Sequence, residues 1–397
     1  MIHKFDSLFA GHIDMDNLGY GGTPVNARRF PNERLVTVFD KARAIAQTLD
    51  RLGYDTFWIA EHHFQHEGYE CIPNILMLAV HLAHVTERLR LGCGFNITPM
   101  WHPLRLAEDF AMADILTGGR VTFGVGRGYH TREVEVFGAP LRDQAANRDL
   151  FEEQVEIIFK AFHQESFSHR GKYYVIPPPD VPYRGYLLKE ITLVPRPLRR
   201  PVECWQPIQS ATPRGLDFMA KHGIKGIIGG GVAESGATHR VIEAWRDALR
   251  RAGRDAELGT DLSIGFHFYL ASSQEKGIRE AAKYFEENVK MFGPLRLVRS
   301  LTDEQIAVLA DPTRAPFAPD LPRLDKAVKA GAFLCGPPEL IIEQLQSLEA
   351  RYPGLERVCV SHPVGTPQAV ILEQLEWFAQ EVMPAFTRRV PAADTVR

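Results

Sequence analysis

Nowhere in the 397 residues does an apolar run reach the roughly 18 residues that a membrane-spanning helix needs. Blocks of like charge are missing too. Lys and Arg total 46 against 49 Asp and Glu, a formal charge of −3, and the isoelectric point is near 6.6. That balance leaves no electrostatic footprint for nucleic acid or an anionic membrane surface, and it favours small neutral or apolar ligands. Cysteine is scarce. The five residues Cys71, Cys93, Cys204, Cys335 and Cys359 are far apart, odd in number and mostly set in apolar runs, which reads as reduced core thiols rather than disulfides or a zinc site. The start of the chain meets Asp6 before an apolar segment can form, so a cytoplasmic enzyme is the expected setting.

What is present is a globular balance, 45% hydrophobic and 24% charged residues, enough to bury a large core. Short apolar or β-branched runs alternate with longer stretches of helical period, the pattern of parallel βαβ units. Eight strands are expected: Asp6–Ala10, Thr56–Ala60, Arg90–Asn96, Val121–Val125, Val202–Gln206, Gly226–Gly229, Leu262–Leu270 and Arg357–Ser361. Between the first two, Leu35 to Leu52 places Leu35, Phe39, Ala42, Ala46 and Leu49 on one stripe, and Ile75 to Val85 is similarly apolar. Pro338 and Pro367 mark helix starts. Because the chain never restarts with a second glycine-rich nucleotide half, a closed α/β (β/α)8 TIM barrel is favoured over an open doubly wound sheet. Residues 1–391 are expected to form this single barrel, with insertions at about 165–200 and 294–335 and a flexible tail at 392–397.

A barrel builds its active site at the carboxyl ends of its strands, so three segments matter. Glu61-His62-His63-Phe64 directly follows the second strand. A metal site from His62, His63, His66, Glu61 and Glu67 can be imagined, but neighbours on an extended segment face opposite ways and the His-x-x-x-His helix pattern is absent. No metal is expected. Gly119 to Tyr129 carries closely spaced glycines, yet Tyr129 stands where a dinucleotide fingerprint needs its third glycine. What is left is either tight barrel packing or a strand that a planar ligand can approach, followed by Arg127, whose fork of donors suits a phosphate. Gln209-Ser210-Ala211-Thr212-Pro213-Arg214 leads into a helix, where Ser210 or Thr212 can cap the helix, help hold an anion, or both.

At these same places the sequence resembles the bacterial luciferase-like superfamily of flavin-dependent oxidoreductases. The likeness runs through Gly53 to Phe64, Thr98 to Asp109, Ile115 to Gly128, Val136-Phe137-Gly138 and Val382-Met383-Pro384. It implies a catalytic His62 beside the flavin ring and a phosphate site at Arg127 and the Ala211-Thr212 turn. A non-proline cis peptide at Gly94-Phe95 beneath the ring is also implied. Glu61, Gly94, Phe95, Arg127, Tyr129, Ser210, Ala211 and Thr212 are then the expected cofactor-binding set. Light-emitting members carry a reactive cysteine where this chain has Gly126, which argues against light emission. The implied activity is that of a monooxygenase: reduced FMN from a separate flavin reductase, dioxygen, and a small organic substrate, in a homodimer. Phe64, Phe95, Met100 and Trp101 are expected near the mouth. Hydride transfer with the deazaflavin F420 is the alternative, and a non-catalytic flavin-binding protein the outsider.

Overall fold

The computed structural model describes residues 1–229, 237–298, 301–311 and 320–387. Eight strands carry the fold: β1 Lys4–Phe9, β2 Thr56–Ile59, β3 Arg90–Cys93, β4 Val121–Gly126, β5 Cys204–Pro207, β6 Lys225–Ile228, β7 Leu262–Leu270 and β8 Arg357–Ser361. Each overlaps one of the eight expected runs. β1 lies parallel between β2 and β8, with Ser7 opposite both Phe57 and Val360. From β2 the order runs through β3 to β4, and from β8 through β7 and β6 to β5. Cys204 of β5 pairs with Phe123 of β4 in parallel, which closes the ring. The result is the expected (β/α)8 barrel, a closed sheet without free edges around its circumference.

Burial on both faces explains why these strands read as continuous apolar runs: every residue of β2, β4 and β8 is buried. The barrel interior holds Trp58, Trp205, Ile227 and Cys359 in one cluster. At one end of the barrel, Arg357 bridges Asp6 and Asp55 at 2.5 and 2.6 Å. All five cysteines are free thiols, and four of them are buried. No helix among the described residues is long and apolar enough to cross a membrane.

Three details differ from the sequence reading. The first long helix begins at Thr37 rather than Leu35, after a separate turn at Asn32–Leu35. Its buried stripe is therefore Val38, Lys41, Ala42, Ile45, Ala46 and Leu49, while Phe39 is 39% exposed. Lys41 turns inward because its ammonium reaches Asp14 at 2.7 Å and the Thr366 carbonyl at 2.8 Å. Second, Phe333–Gly336 is a strand, which pairs in parallel with the outer half of β7. Third, residues 165–200 hold two small antiparallel ladders, His169–Arg170 with Val175–Ile176 and Pro182–Tyr183 with Tyr186–Leu187. The expected tail at 392–397 lies outside the described residues.

Candidate active site

The segments that leave the carboxyl ends of β2, β3, β4 and β5 wall one cavity of about 520 Å³. Glu61, His62, Gly94, Phe95, Arg127, Tyr129, Ser210 and Thr212 all line it. Ala211 sits exposed between the last two and is not part of the wall. Of the apolar residues expected near the mouth, Phe95 alone lines the cavity. Phe64 is 51% exposed on the outer surface, Met100 packs with Ile97 and Val134, and the Trp101 indole donates to Glu61. The apolar lining comes instead from Leu8, Ala10, Ile208, Leu216, Met219 and Phe292. Those residues sit on other strands and helices, where sequence neighbours give no hint of them.

His62 is held from three sides. Its backbone N–H donates to the Ile72 carbonyl at 2.9 Å. Its Nδ1 stands 3.2 Å from Glu133 Oε1, and its Nε2 stands 3.1 Å from Glu70 Oε1. The Tyr129 hydroxyl is 3.0 Å from the same Nε2 and donates to Glu70 at 2.6 Å. Burial alone would depress the His62 pKa, but Glu70 and Glu133 outweigh it and leave the pKa above the ordinary histidine value. Burial works against the Glu133 anion as well, yet its bond to His62 and the nearby His62 and His130 bring Glu133 down to about 2. His63 points elsewhere: its ring packs on Phe137 with centroids 4.8 Å apart and its Nε2 lies 3.2 Å from Glu61. Glu61 is thereby occupied, since Ile97 N–H and the Trp101 indole also donate to it at 2.8 and 2.9 Å. Its carboxylate fixes the loop after β3 rather than facing a ligand freely.

Beneath Phe95, the Gly94–Phe95 peptide bond is cis, as the resemblance implied. Gly124 lies so close to the preceding strand that a Cβ there would meet the Cys93 carbonyl oxygen at 1.9 Å. Its glycine is required by packing.

The basic part of the wall is richer than the sequence indicated. Arg127 is joined by Arg148, from the helix Gln144–His163, in the lining of the same cavity. Burial, and then the charge of Arg148, lower the Arg127 pKa to about 10, the mark of a cationic cluster that an anion would relieve. Thr212 occupies the N-cap of the helix Pro213–His222 without a side-chain capping bond, and its hydroxyl lies 3.4 Å from that of Ser210. The Gln206 Oε1 is buried without a partner in the cavity wall. Glu70, Glu133, His130 and Arg148 were missed in the sequence. Only their closeness in number to His62 and Arg127 hinted at them.

His62, Glu70 and His130 together could also hold a metal ion, since one ligand atom from each lies within 4.8 Å of the others. Glu70 is already bonded to His62, His130 and Tyr129, and His62 also meets Tyr129.

A family model described as luciferase-like monooxygenase matches residues 17–354. The chain is 25% identical over 355 residues to the oxygenase component of the flavin-dependent trigonelline monooxygenase of Acinetobacter baylyi, covering 88% of this chain and 90% of that protein. A 34% identical match to an uncharacterized protein of Sinorhizobium fredii spans 34% of this chain and only 37% of that relative. Among solved structures, the oxygenating constituent of 3,6-diketocamphane monooxygenase of Pseudomonas putida, a complex with FMN, superposes with a TM-score of 0.71 at 20% identity. It covers 97% of this chain and 99% of its own. An F420-dependent secondary alcohol dehydrogenase gives 0.62 at 14% identity, covering 97% and 99%. At these identities the structures speak for the fold alone.

Proposed function

Because the chain belongs to the luciferase-like monooxygenase family, we propose that it oxygenates a small, largely apolar organic substrate with dioxygen and reduced FMN delivered by a separate reductase. The observation that carries this reading is that one cavity is lined by a guanidinium pair, Arg127 and Arg148, by a histidine set between carboxylates, and by the apolar side chains of Leu8, Ala10, Leu216, Met219 and Phe292. The residues present fit the cofactor. Arg127 and Arg148, with the Ser210 and Thr212 hydroxyls, form a donor set suited to a phosphate. The partnerless Gln206 Oε1 offers an acceptor for a ring N–H. When bound, reduced flavin supplies the electrons that activate dioxygen.

The chain's own residues do the rest. Arg127 and Arg148 hold the phosphate, Phe95 and Gly94 bound the space for a planar ring, and the apolar wall excludes water from it. His62 moves a proton at Nε2, the ring nitrogen shared with Tyr129 and Glu70. The assembly belongs to the same reading: a homodimer, supported by the exposed apolar group Val36, Phe39, Phe64 and Phe137, working in the cytoplasm.

The decisive experiment supplies FMN, NADH, a generic flavin reductase and oxygen-18 dioxygen with a panel of uncharged organic compounds. One labelled oxygen atom in the product is expected, with none formed without flavin. Oxygen-independent turnover with reduced F420 would replace this reading by hydride transfer. Flavin binding without any product would reduce the protein to a flavin carrier.

A further inference from the structure

We propose that His62 rests as an imidazolium clamped between Glu70 and Glu133, and that the Tyr129 hydroxyl is a switch that takes up whichever hydrogen bond the histidine charge leaves open. Both ring nitrogens of His62 face carboxylate oxygens, Nδ1 at 3.2 Å from Glu133 and Nε2 at 3.1 Å from Glu70. A neutral imidazole has one N–H and one lone pair, so it would turn a lone pair toward an anion. Tyr129 could cover that lone pair, but it has one proton. Its 2.6 Å bond to Glu70 Oε1 is much shorter than its 3.0 Å contact with His62.

Both carboxylates are also provided with the donors an anion needs. Glu133 accepts the His63 backbone N–H at 3.0 Å and the Gln65 amide at 2.8 Å. Glu70 Oε2 lies 2.8 Å from His130 Nε2. Such donors favour ionised carboxylates and leave the shared proton on His62. The other titratable groups close to the ring are Glu61, whose charge acts in the same direction, and His130, whose ring stands edge-on at 5.3 Å.

This deepens the proposed role of His62 by fixing its direction. The histidine acts first as an acid: the Nε2–H bond breaks, and the proton passes to a basic oxygen generated in the cavity. The Tyr129 hydroxyl then turns from Glu70 Oε1 to the vacated Nε2 lone pair, while Nδ1–H stays on Glu133. Glu70, Glu133 and Tyr129 are positioning residues, acting through His62.

The charge belongs to the protein without flavin, so the test does not depend on turnover. Long-range proton–nitrogen spectra of the flavin-free wild type at about pH 7.5, a full unit above the ordinary histidine value, are expected to show both His62 nitrogens protonated. Glu70→Gln and Glu133→Gln should each return His62 to the neutral form at that pH. Tyr129→Phe should move the titration midpoint upward, because the neutral form loses its only donor to Nε2. A neutral His62 in the wild type, with the proton on Glu70, overturns the proposal. An unmoved midpoint in Tyr129→Phe overturns the switch. Should a glutamine variant fail to fold, the wild-type spectrum and Tyr129→Phe still decide. A protein that fails to oxygenate anything, yet shows the doubly protonated ring, would separate this inference from the functional reading.

Discussion

Asn147 Oδ1 accepts the Arg127 Nε–H at 2.8 Å, and the Asn147 amide donates back to the Arg127 carbonyl at 3.3 Å. Asn147 is wholly buried, so this reciprocal pair fixes both the backbone and the guanidinium of Arg127 before any ligand arrives. Gln144 adds to the grip, its Oε1 and its carbonyl accepting from Nη2 at 2.8 and 3.3 Å. An arginine so placed loses little freedom on meeting an anion. Arg127→Ala should therefore weaken FMN binding by roughly ten- to a hundredfold, the range of one charge-assisted contact, and riboflavin binding hardly at all. Fluorescence titration of both flavins measures it. Equal losses would remove the phosphate from Arg127.

Two glycines of β4 should behave oppositely. Gly124→Ala drives a methyl against the Cys93 carbonyl oxygen, at 1.9 Å, and the Phe95 ring, at 2.9 Å. Backbone cannot yield there cheaply, and a loss of more than about 3 kcal/mol or failure to fold is expected. At Gly126 the nearest atoms are Phe95 Cβ at 3.2 Å and Ile97 Cδ1 at 3.4 Å. Gly126→Ala should fold with a loss below about 1.5 kcal/mol and only narrow the cavity. Denaturant midpoints of the two variants make the comparison.

The eight strands were legible because a barrel strand buried on both faces carries an apolar run, such as Phe57-Trp58-Ile59 in β2 and Val358-Cys359-Val360 in β8. Phe333–Gly336 escaped because three apolar residues and a glycine ahead of Pro337 have no period to betray them. The stripe through Phe39 went wrong for another reason. Lys41 is buried by its partners Asp14 and Thr366, and no hydrophobic pattern admits a lysine. In the site, His62 and Arg127 stand at strand ends and were readable. Glu133 and Arg148 act through the folded chain: Glu133 follows a loop after β4, and Arg148 comes from the next helix. Their roles arise from proximity that spacing does not encode.

Acid should destabilise the protein earlier than its carboxylates alone would require. Burial, with Lys41 nearby for His12 and His362, lowers the pKa of His12 well below its ordinary value, that of His362 to about 3 and that of His267 to about 4. Each binds its proton more weakly folded than unfolded, so the unfolded chain takes up more protons below about pH 6.5. The stability these groups contribute is complete above that pH and is lost as pH falls toward the folded values. Each group sets a slope of about 1.4 kcal/mol per pH unit. Asp6, raised by burial to about 6, works in the opposite sense between about pH 6 and 4. So do Asp114, also raised by burial, and, above about pH 6.5, the raised His62. His102, His163 and His222, lowered by burial, side with the three buried histidines. Urea midpoints should fall steeply from neutral pH toward about pH 5, and His362→Gln should flatten that fall. A profile unchanged by the substitution would mean that His362 does not stay neutral in the folded protein.

The two adjacent histidines provide the sharpest functional contrast. His62 lines the cavity and is held by Glu70, Glu133 and Tyr129, whereas His63 packs outward on Phe137 and Glu61. Neither contacts Arg127 or the Ser210–Thr212 turn, so neither substitution should alter the affinity for flavin phosphate. His62→Ala should leave reduced-flavin binding largely intact and slow substrate oxidation by at least ~100-fold, the lower range for a lost general acid. His63→Ala takes a ring from a surface aromatic group and should cost stability, about 1 kcal/mol, rather than rate. Rapid mixing of the anaerobically reduced protein with oxygen and substrate separates the steps, because oxygen consumption and product formation can be followed independently. In His62→Ala oxygen should still be consumed while product falls, the oxidising equivalents being lost as hydrogen peroxide. If product instead forms at the wild-type rate, His62 is a structural residue and its proton plays no part in the reaction.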